Sequence, residues 1–508
     1  MDRDRYSVPD GSEGRTARQI LKWAAVAALF LFIGLIISSL VDLTPQVNAI
    51  KRALAGKNDG AADEAAYSGP ATRTQMPHYL LKFAGSNSVG GELLPHLAEG
   101  YLATLGATEI EITQRMDDKG MPIPERVVSG KLDDKLVGIE VMAYGSGTAF
   151  DALSAGKADI GMSSRPVKKL EEIYIRNQGA LTSAGAEHII AVDGIAVIVH
   201  PTNPLAKLSR AQIQKAFVGE ISTWNELGAP ISGPINFYAR DDRSGTYDGF
   251  KDTVLKEVPL RSTQMKRFAD SELLEKMVSD DPNGLGFVGL PYIRKAKVLA
   301  VADGALPAIT PSRYSIKKET YLLSRRLYLY TPTPTTSPHV FPFVTFVLGD
   351  NGQSIVNKLG FYDLSLSGPP DKAGAAAAPC LLSGQWRGDR NDYCRLRQST
   401  TPVEAAFRFK PNSDEPDNRT IRDMTRLTDL VAKKPGLKFA LASFADASVP
   451  YDQACAKTRE RAKSLSETLK TLGITVSETH AYCSELPLRD GTDAVAKLSN
   501  NRVELFAR

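Results

Sequence analysis

Residues 237–246 read FYARDDRSGT. Phe237 and Tyr238 are strand formers that deliver the chain to Arg240, and Ser244, Gly245 and Thr246 then open a segment of helical character, TYDGFKDTVL. The first turn of a helix has backbone N–H groups without intrahelical partners and carries the positive end of the macrodipole, so such a junction suits an oxyanion. Gly245 lets the backbone come close, Ser244 and Thr246 add hydroxyl donors, and Arg240 adds a planar two-pronged cation. The same residues could also serve as plain helix capping, with Arg240 paired to Asp241 or Asp242.

The pattern occurs twice more upstream. Residues 137–144, VGIEVMAY, are strand-like and run into Gly145-Ser146-Gly147-Thr148 and the helical AFDALSAGKAD. Residues 79–83, YLLKF, run into Ala84-Gly85-Ser86-Asn87-Ser88 and the helical VGGELLPHLAEGYLATLG. Three strand, Gly/Ser turn, helix units predict an α/β domain in which three helix N-termini converge on one anion. Alternation of strands with helices predicts mostly parallel sheets, with the ligand at the strand ends.

From 78 to 366 the chain resembles the phosphate-binding PstS type of periplasmic solute-binding proteins. The likeness extends beyond the turns to DIGMSSRPV at 159–167, to VDGIAVIVHPTNPLAKLSRAQIQKAFVGEISTWNELG at 192–228 and to GLGFVGLPYI at 284–293. It implies a two-lobed periplasmic-binding-protein fold, with inorganic phosphate or a similar oxyanion as ligand and an ABC-type phosphate transporter as a further partner. The implied ligand set is Asn87, Ser88, Ser146, Gly147, Ser164, Arg240, Ser244, Gly245 and Thr246, with Asp242 bracing Arg240. Some members of that family have an Asp where Ser164 stands, to accept the proton of a protonated phosphate; a serine both accepts and donates, so exclusion of sulfate is less strict. Arg165 beside it either adds charge to the site or is a solvated surface arginine. Residues 116–136, MDDKGMPIPERVVSGKLDDKL, read as a polar insertion without an assigned role.

At 508 residues and 43% apolar the chain is long enough for several cores. Its 62 basic and 58 acidic residues give a net charge of +4 without a basic arm, which argues against a nucleic-acid partner. Residues 23–41, WAAVAALFLFIGLIISSLV, are uncharged. With Arg15, Arg18 and Lys22 before them and Asp42 after, they predict a single transmembrane helix over 20–41. The tail 1–19 is then cytoplasmic and everything after 41 is exported, placing the protein at an inner membrane with its bulk in the periplasm. A cleaved signal peptide or a buried core helix is the alternative. Residues 42–77 read as a linker with a reach of roughly 30–35 Å.

After 366 the pattern changes. Residues 367–401 begin as a Pro/Ala/Gly linker and contain a cysteine pair, Cys380 and Cys394; Cys455 and Cys483 follow. An even count in an exported chain suits disulfides, and the economical pairing is Cys380 with Cys394 and Cys455 with Cys483, although spacing leaves it open. Residues 402–508 resemble the OmpA-like peptidoglycan-binding domain through Asp446 at a strand end, Arg461-Ala462 on a helix and the closing NNRVEL at 500–505. That likeness implies a small α/β domain whose Asp446 and Arg461 grip the diaminopimelate of the wall peptide, an acid for the ammonium and a guanidinium for the carboxylate. The family's Gly-His-Thr before the Asp is Ser443-Phe444-Ala445 here, and the Asn ahead of the helix is Ala454. An ordinary salt bridge is the alternative use of the pair.

The six histidines are scattered and form no HExxH. GxSxG and Walker-type phosphate loops do not occur, so neither a metal nor a cofactor nor chemistry on the ligand is expected. The expectation is a membrane-anchored binder that captures an oxyanion in an interlobe cleft and attaches to the wall. The alternatives are a membrane-to-wall tether whose binding fold is a partner platform, and, behind that, a phosphate-handling hydrolase.

Overall fold

The computed structural model describes residues 76–366 and 386–508, apart from 176, 178, 243, 257, 261–264 and 336. The expected cytoplasmic tail, membrane span, nearly all of the 42–77 linker and Cys380 lie outside the described residues. Among those described, no helix is long and apolar enough to cross a membrane.

One mixed sheet runs through both lobes. In spatial order its strands are Thr108–Met116, Pro122–Leu132, Lys135–Met142, His78–Gly85, Ile160–Ser163, Ser324–Tyr330, Glu187–Val199, Gly284–Gly289, Asn236–Arg240 and Met265–Phe268, with the short Lys297–Val298 also paired to the end of Glu187–Val199. The strands that carry the Gly/Ser turns pair in parallel with their neighbours, His78–Gly85 with Lys135–Met142 and Ile160–Ser163, and Asn236–Arg240 with Gly284–Gly289 and Met265–Phe268. The centre is antiparallel, contrary to the expectation of mostly parallel sheets. Glu187–Val199 pairs with Ser324–Tyr330 over its first half and with Gly284–Gly289 over its second, so one strand passes from lobe to lobe. Every residue after Glu187 in it is buried, which is why it reads as the near-continuous apolar run HIIAVDGIAVI. Gly194 does not interrupt it: a Cβ there would lie 2.5 Å from the Ile316 side chain, so the glycine permits close packing.

The 116–136 insertion is a β-hairpin. Pro122–Leu132 pairs antiparallel with Thr108–Met116 on one side and Lys135–Met142 on the other. Its turn is closed by Asp117, whose carboxylate accepts from the backbone N–H of Lys119 (2.9 Å) and Met121 (2.8 Å), with Gly120 in the left-handed region.

In the C-terminal part a second sheet has the order Thr401–Arg408, Arg502–Ala507, Lys438–Phe444, Thr475–Ala481. Helices Asn418–Lys433 and Tyr451–Thr471 bury Met424, Leu427, Leu465 and Leu469 on one face of it. Helix Arg390–Ser399 buries Tyr393 and Leu396 on the other, so the stretch read as linker up to 401 is in part a structural helix. Cys455 and Cys483 form the expected disulfide; Cys394 is also disulfide-bonded.

This second unit is joined to both lobes by buried charge. Glu319 accepts from Arg326 of the long-strand sheet and from Arg408 and Arg419 of the C-terminal unit. Burial acts to raise the Glu319 pKa, but the three guanidiniums outweigh it and hold the carboxyl well below its usual range. Lys318 pairs with Glu504 at 2.6 Å. Asn418 donates to the Thr182 carbonyl and to Glu187 in the first lobe, and the backbone N–H of Asp490 donates to Asp303 in the second.

Glu319→Gln keeps the shape and removes the charge, leaving three buried guanidiniums short of a partner. Breaking a buried ionic cluster costs about 3–5 kcal/mol, so the urea midpoint is expected to fall markedly. Glu504 gives the pH signature. Burial pushes its pKa up, Lys318 and Arg502 push harder the other way, and it sits at about 2 against an ordinary 4.5. Its stabilisation is therefore complete above 4.5 and lost as pH falls through about 2. Glu504→Gln should flatten the acid limb of a melting profile.

Candidate functional site

The turns come together because their strands are neighbours. At the end of His78–Gly85, Ser86 N–H donates to the Met162 carbonyl at 2.9 Å, and Gly145 N–H donates to the Gly85 carbonyl at 2.8 Å. Gly85 has φ +136°, and a Cβ on it would lie 2.0 Å from the Met162 oxygen, so no other residue fits this crossing. The third turn arrives from the other lobe. Ser244 caps the helix Gly245–Phe250 by accepting from Tyr247 N–H, and a Cβ on Gly245 would lie 2.2 Å from the Ser88 nitrogen. Backbone from the two lobes thus meets directly at Gly245 and Ser88.

A cavity of about 290 Å³ opens beside this contact, near the lower end of the roughly 300–1,000 Å³ of small-ligand sites. Asn87, Ser88, Arg240, Ser244, Gly245 and Thr246 line it. Ser146, Gly147 and Ser164 lie outside that lining. Ser146 and Ser164 spend their hydroxyls on one another at 3.1 Å, and Ser164 N–H also donates to Ser146 Oγ.

Arg240 is held by protein acceptors: Nε donates to the Phe268 carbonyl (3.3 Å), Nη2 to the Ala269 carbonyl (2.8 Å) and Nη1 to Ser271 Oγ. Burial lowers its pKa. Asp242 does not brace it. That carboxylate is exposed and pairs with Arg267 at 2.6 Å, because Arg267 lies on the adjacent strand and reaches the turn from outside. A braced arginine is found instead at the lobe crossing, where Asp193 Oδ2 accepts from both Arg325 Nε (3.0 Å) and Nη2 (2.7 Å), and both residues line the cavity. Gly249 leaves room for that guanidinium; a Cβ there would lie 2.2 Å from Arg325 Nη1. Arg165 is neither free nor in the lining, being bonded twice to Glu171.

The hairpin supplies the facing wall through Gln114, Ile123 and Arg126, the last with its pKa lowered by burial. Sequence reasoning missed Arg126, Asp193 and Arg325. An acid inside the apolar run AVDGIAV was a readable sign for Asp193, and the alternation of YLLSRRLYLY set Arg325 inward; Arg126 carried no such sign. Ser86 Oγ, Asn87 Oδ1, Ser88 Oγ, Asp248 Oδ2 and Arg325 Nη1 are buried without a protein partner, so a large share of the orphaned polar atoms surrounds this one place.

In the C-terminal unit Asp446 and Arg461 are buried and bridged by one amide rather than paired. Asn501 Nδ2 donates to Asp446 Oδ2 at 2.5 Å, and Asn501 Oδ1 accepts from Arg461 Nη1 at 3.3 Å. Arg461 Nη2 donates to Asp414 (2.6 Å), and its guanidinium lies 4.2 Å from the Phe409 ring. Burial acts to raise the Asp446 pKa, but hydrogen bonds from Ser448 and Asn501 hold it below the ordinary value. Among the described residues no cluster of three His, Cys, Asp or Glu could hold a metal ion.

Residues 133–351 match the PBP superfamily domain. The phosphate-binding protein PstS of Pseudomonas aeruginosa is 30% identical over 246 residues, covering 45% of this chain and 75% of that protein. The chain belongs to the PstS-type phosphate-binding protein family. Protein SphX of Synechococcus elongatus is also 30% identical, over 276 residues that cover 52% of this chain and 79% of SphX. An ABC-type phosphate transport receptor from Vibrio cholerae superposes over 55% of this chain and 98% of its own with a TM-score of 0.42 at 21% identity.

Within this PstS-type domain, Asp248 offers a test of the electrostatics. Burial, opposed by Arg325, pushes its carboxyl up to about 6 from an ordinary 3.8. A raised acid stabilises fully below 3.8, and that contribution is lost as pH rises through about 6. Asp248→Asn is expected to raise stability near neutral pH by up to about 3 kcal/mol, with little effect at about pH 4, as read from thermal melts.

Proposed function

We propose that the protein is a periplasmic binder of inorganic phosphate, or a closely similar oxyanion, held in the cleft between the lobes. The observation that carries this reading is the meeting of the Ser88 and Gly245 helix starts around a small cavity, with Arg240, Arg126 and Arg325 at its walls. First-turn N–H groups and serine hydroxyls donate to the anion's oxygens, and the guanidiniums offset its charge. Ser146, Gly147 and Ser164 join the ligand set if a small inward shift of the Ser146 helix accompanies closure. No bond of the ligand is broken, and the protein acts as a receptor that hands its anion to an ABC-type phosphate transporter or reports its level.

The reading extends to both ends of the chain. Residues 20–41 anchor the protein in the inner membrane with its N-terminus in the cytoplasm, and residues 402–508 attach it to peptidoglycan. Asp446 takes the diaminopimelate ammonium and Arg461 its carboxylate. The shared hold of Asn501 on both side chains supports this, since it keeps an acid and a guanidinium adjacent without letting them neutralise each other directly.

Calorimetry of the protein with phosphate and with sulfate tests the first part. Phosphate should bind, and Arg240→Ala should weaken it about ten- to a hundredfold, the worth of a charge-assisted hydrogen bond at roughly 1.5–3 kcal/mol. Gly245→Ala should abolish binding by forcing the lobes apart at Ser88. Heat from neither anion would refute the reading. Sedimentation with purified wall sacculi tests the second part: the wild type should co-sediment, while Asp446→Ala and Arg461→Ala remain in solution.

A further inference from the structure

The largest cavity among those described is not the anion cleft. It has a volume of about 1,030 Å³ and lies where the second lobe meets the C-terminal unit. Four rings, Tyr314, Trp386, Tyr393 and Tyr451, face it together with three guanidiniums, of which Arg502 pairs with Glu504 at 2.8 Å and Arg387 and Arg397 stand apart. Arg387 lies over the Tyr451 ring at 5.4 Å and Arg397 over the Tyr393 ring at 6.0 Å. Among the described residues neither guanidinium forms an ion pair with a carboxylate.

The wall of the cavity is fastened from several directions. Glu485 accepts from the backbone N–H of Arg387 (2.9 Å) and Gly388 (3.1 Å) and from the Tyr451 hydroxyl (2.8 Å), so one buried carboxylate fixes two sides of the opening. The Cys455–Cys483 disulfide ties the helix that carries Tyr451 to the segment that carries Glu485. Cys483 and Leu486 both hold left-handed backbone, at φ 52° and 47°, a conformation that non-glycine residues seldom adopt. Rings held rigid beside unpaired cations, at a joint between domains, are features of a ligand site.

We propose that this cavity binds a carbohydrate, the sugar end of the wall fragment whose diaminopimelate end Asp446 and Arg461 take. The inference rests on the wall-binding reading above. Sugar rings present C–H faces that stack on aromatic side chains, and the Arg387 and Arg397 guanidiniums donate hydrogen bonds to the carbonyl oxygens of the sugars' amide substituents. Position supports it: Ala447, directly after Asp446, lines the cavity.

Titration of the full-length protein with two probes tests this, one a stem peptide containing diaminopimelate and the other the same peptide joined to its disaccharide. The sugar-bearing probe should bind about tenfold more tightly and quench the fluorescence of Trp386. Arg387→Glu and Arg397→Glu, both at exposed positions, should remove that tenfold gain and leave binding of the bare peptide unchanged. Equal affinities for the two probes, with the bare peptide bound, would overturn the sugar site while leaving the wall-binding reading intact. Loss of both probes on Asp446→Ala alongside an unaltered ratio in the two arginine variants would likewise overturn it. If neither probe binds the wild type, the wall-binding reading fails and this inference falls with it.

Discussion

The register between strands Glu187–Val199 and Ser324–Tyr330 sets the geometry of everything around the cleft. It pairs Arg325 with Asp193 and Ser324 with Gly194 at the point where the long strand leaves one neighbour for the next. A slip of one residue would turn both side chains to the opposite face. Because that strand belongs to both lobes, the Gly85 and Gly145 turns of one and the Ser244 turn of the other end at the same level of a single sheet. The convergence of helix starts therefore follows from strand order, and the glycines at 85 and 245 only remove the atoms that would prevent it.

The parts of this arrangement that depend on local chemistry were legible in the sequence. Gly/Ser turns between strand and helix and the buried apolar run HIIAVDGIAVI each announce themselves within a few residues. The 116–136 hairpin did not, because Thr108–Met116 has no buried residue and its partner carries charges on both faces, so the period-two signal is flat. Thr475–Ala481 was missed for the same reason, being an edge strand without a fully buried position. Asp242 was assigned to Arg240 on the family resemblance; its partner Arg267 comes from the neighbouring strand, and proximity across a sheet is not written along the chain.

The joint between the units was the least legible part. Glu319 meets Arg408 and Arg419, each about a hundred positions away, and Lys318 meets Glu504 nearly two hundred away. Charged residues at these places read as solvated surface, since a single sequence gives no means of pairing them. The physical demand for pairing becomes visible only once burial is known: a carboxylate that has lost its water needs nearby cations, and Glu319 has three. Its left-handed backbone, φ 56°, is tolerated for the same reason, because the cluster fixes the residue more strongly than the conformation disfavours it.

That joint touches the first lobe at Thr182 and Glu187 and the second at Asp303, on either side of the crossing strand. The small cleft and the large aromatic cavity thus belong to one compact unit whose parts are tied together by buried ion pairs. A pull on the C-terminal unit is therefore delivered to both halves of the sheet at once.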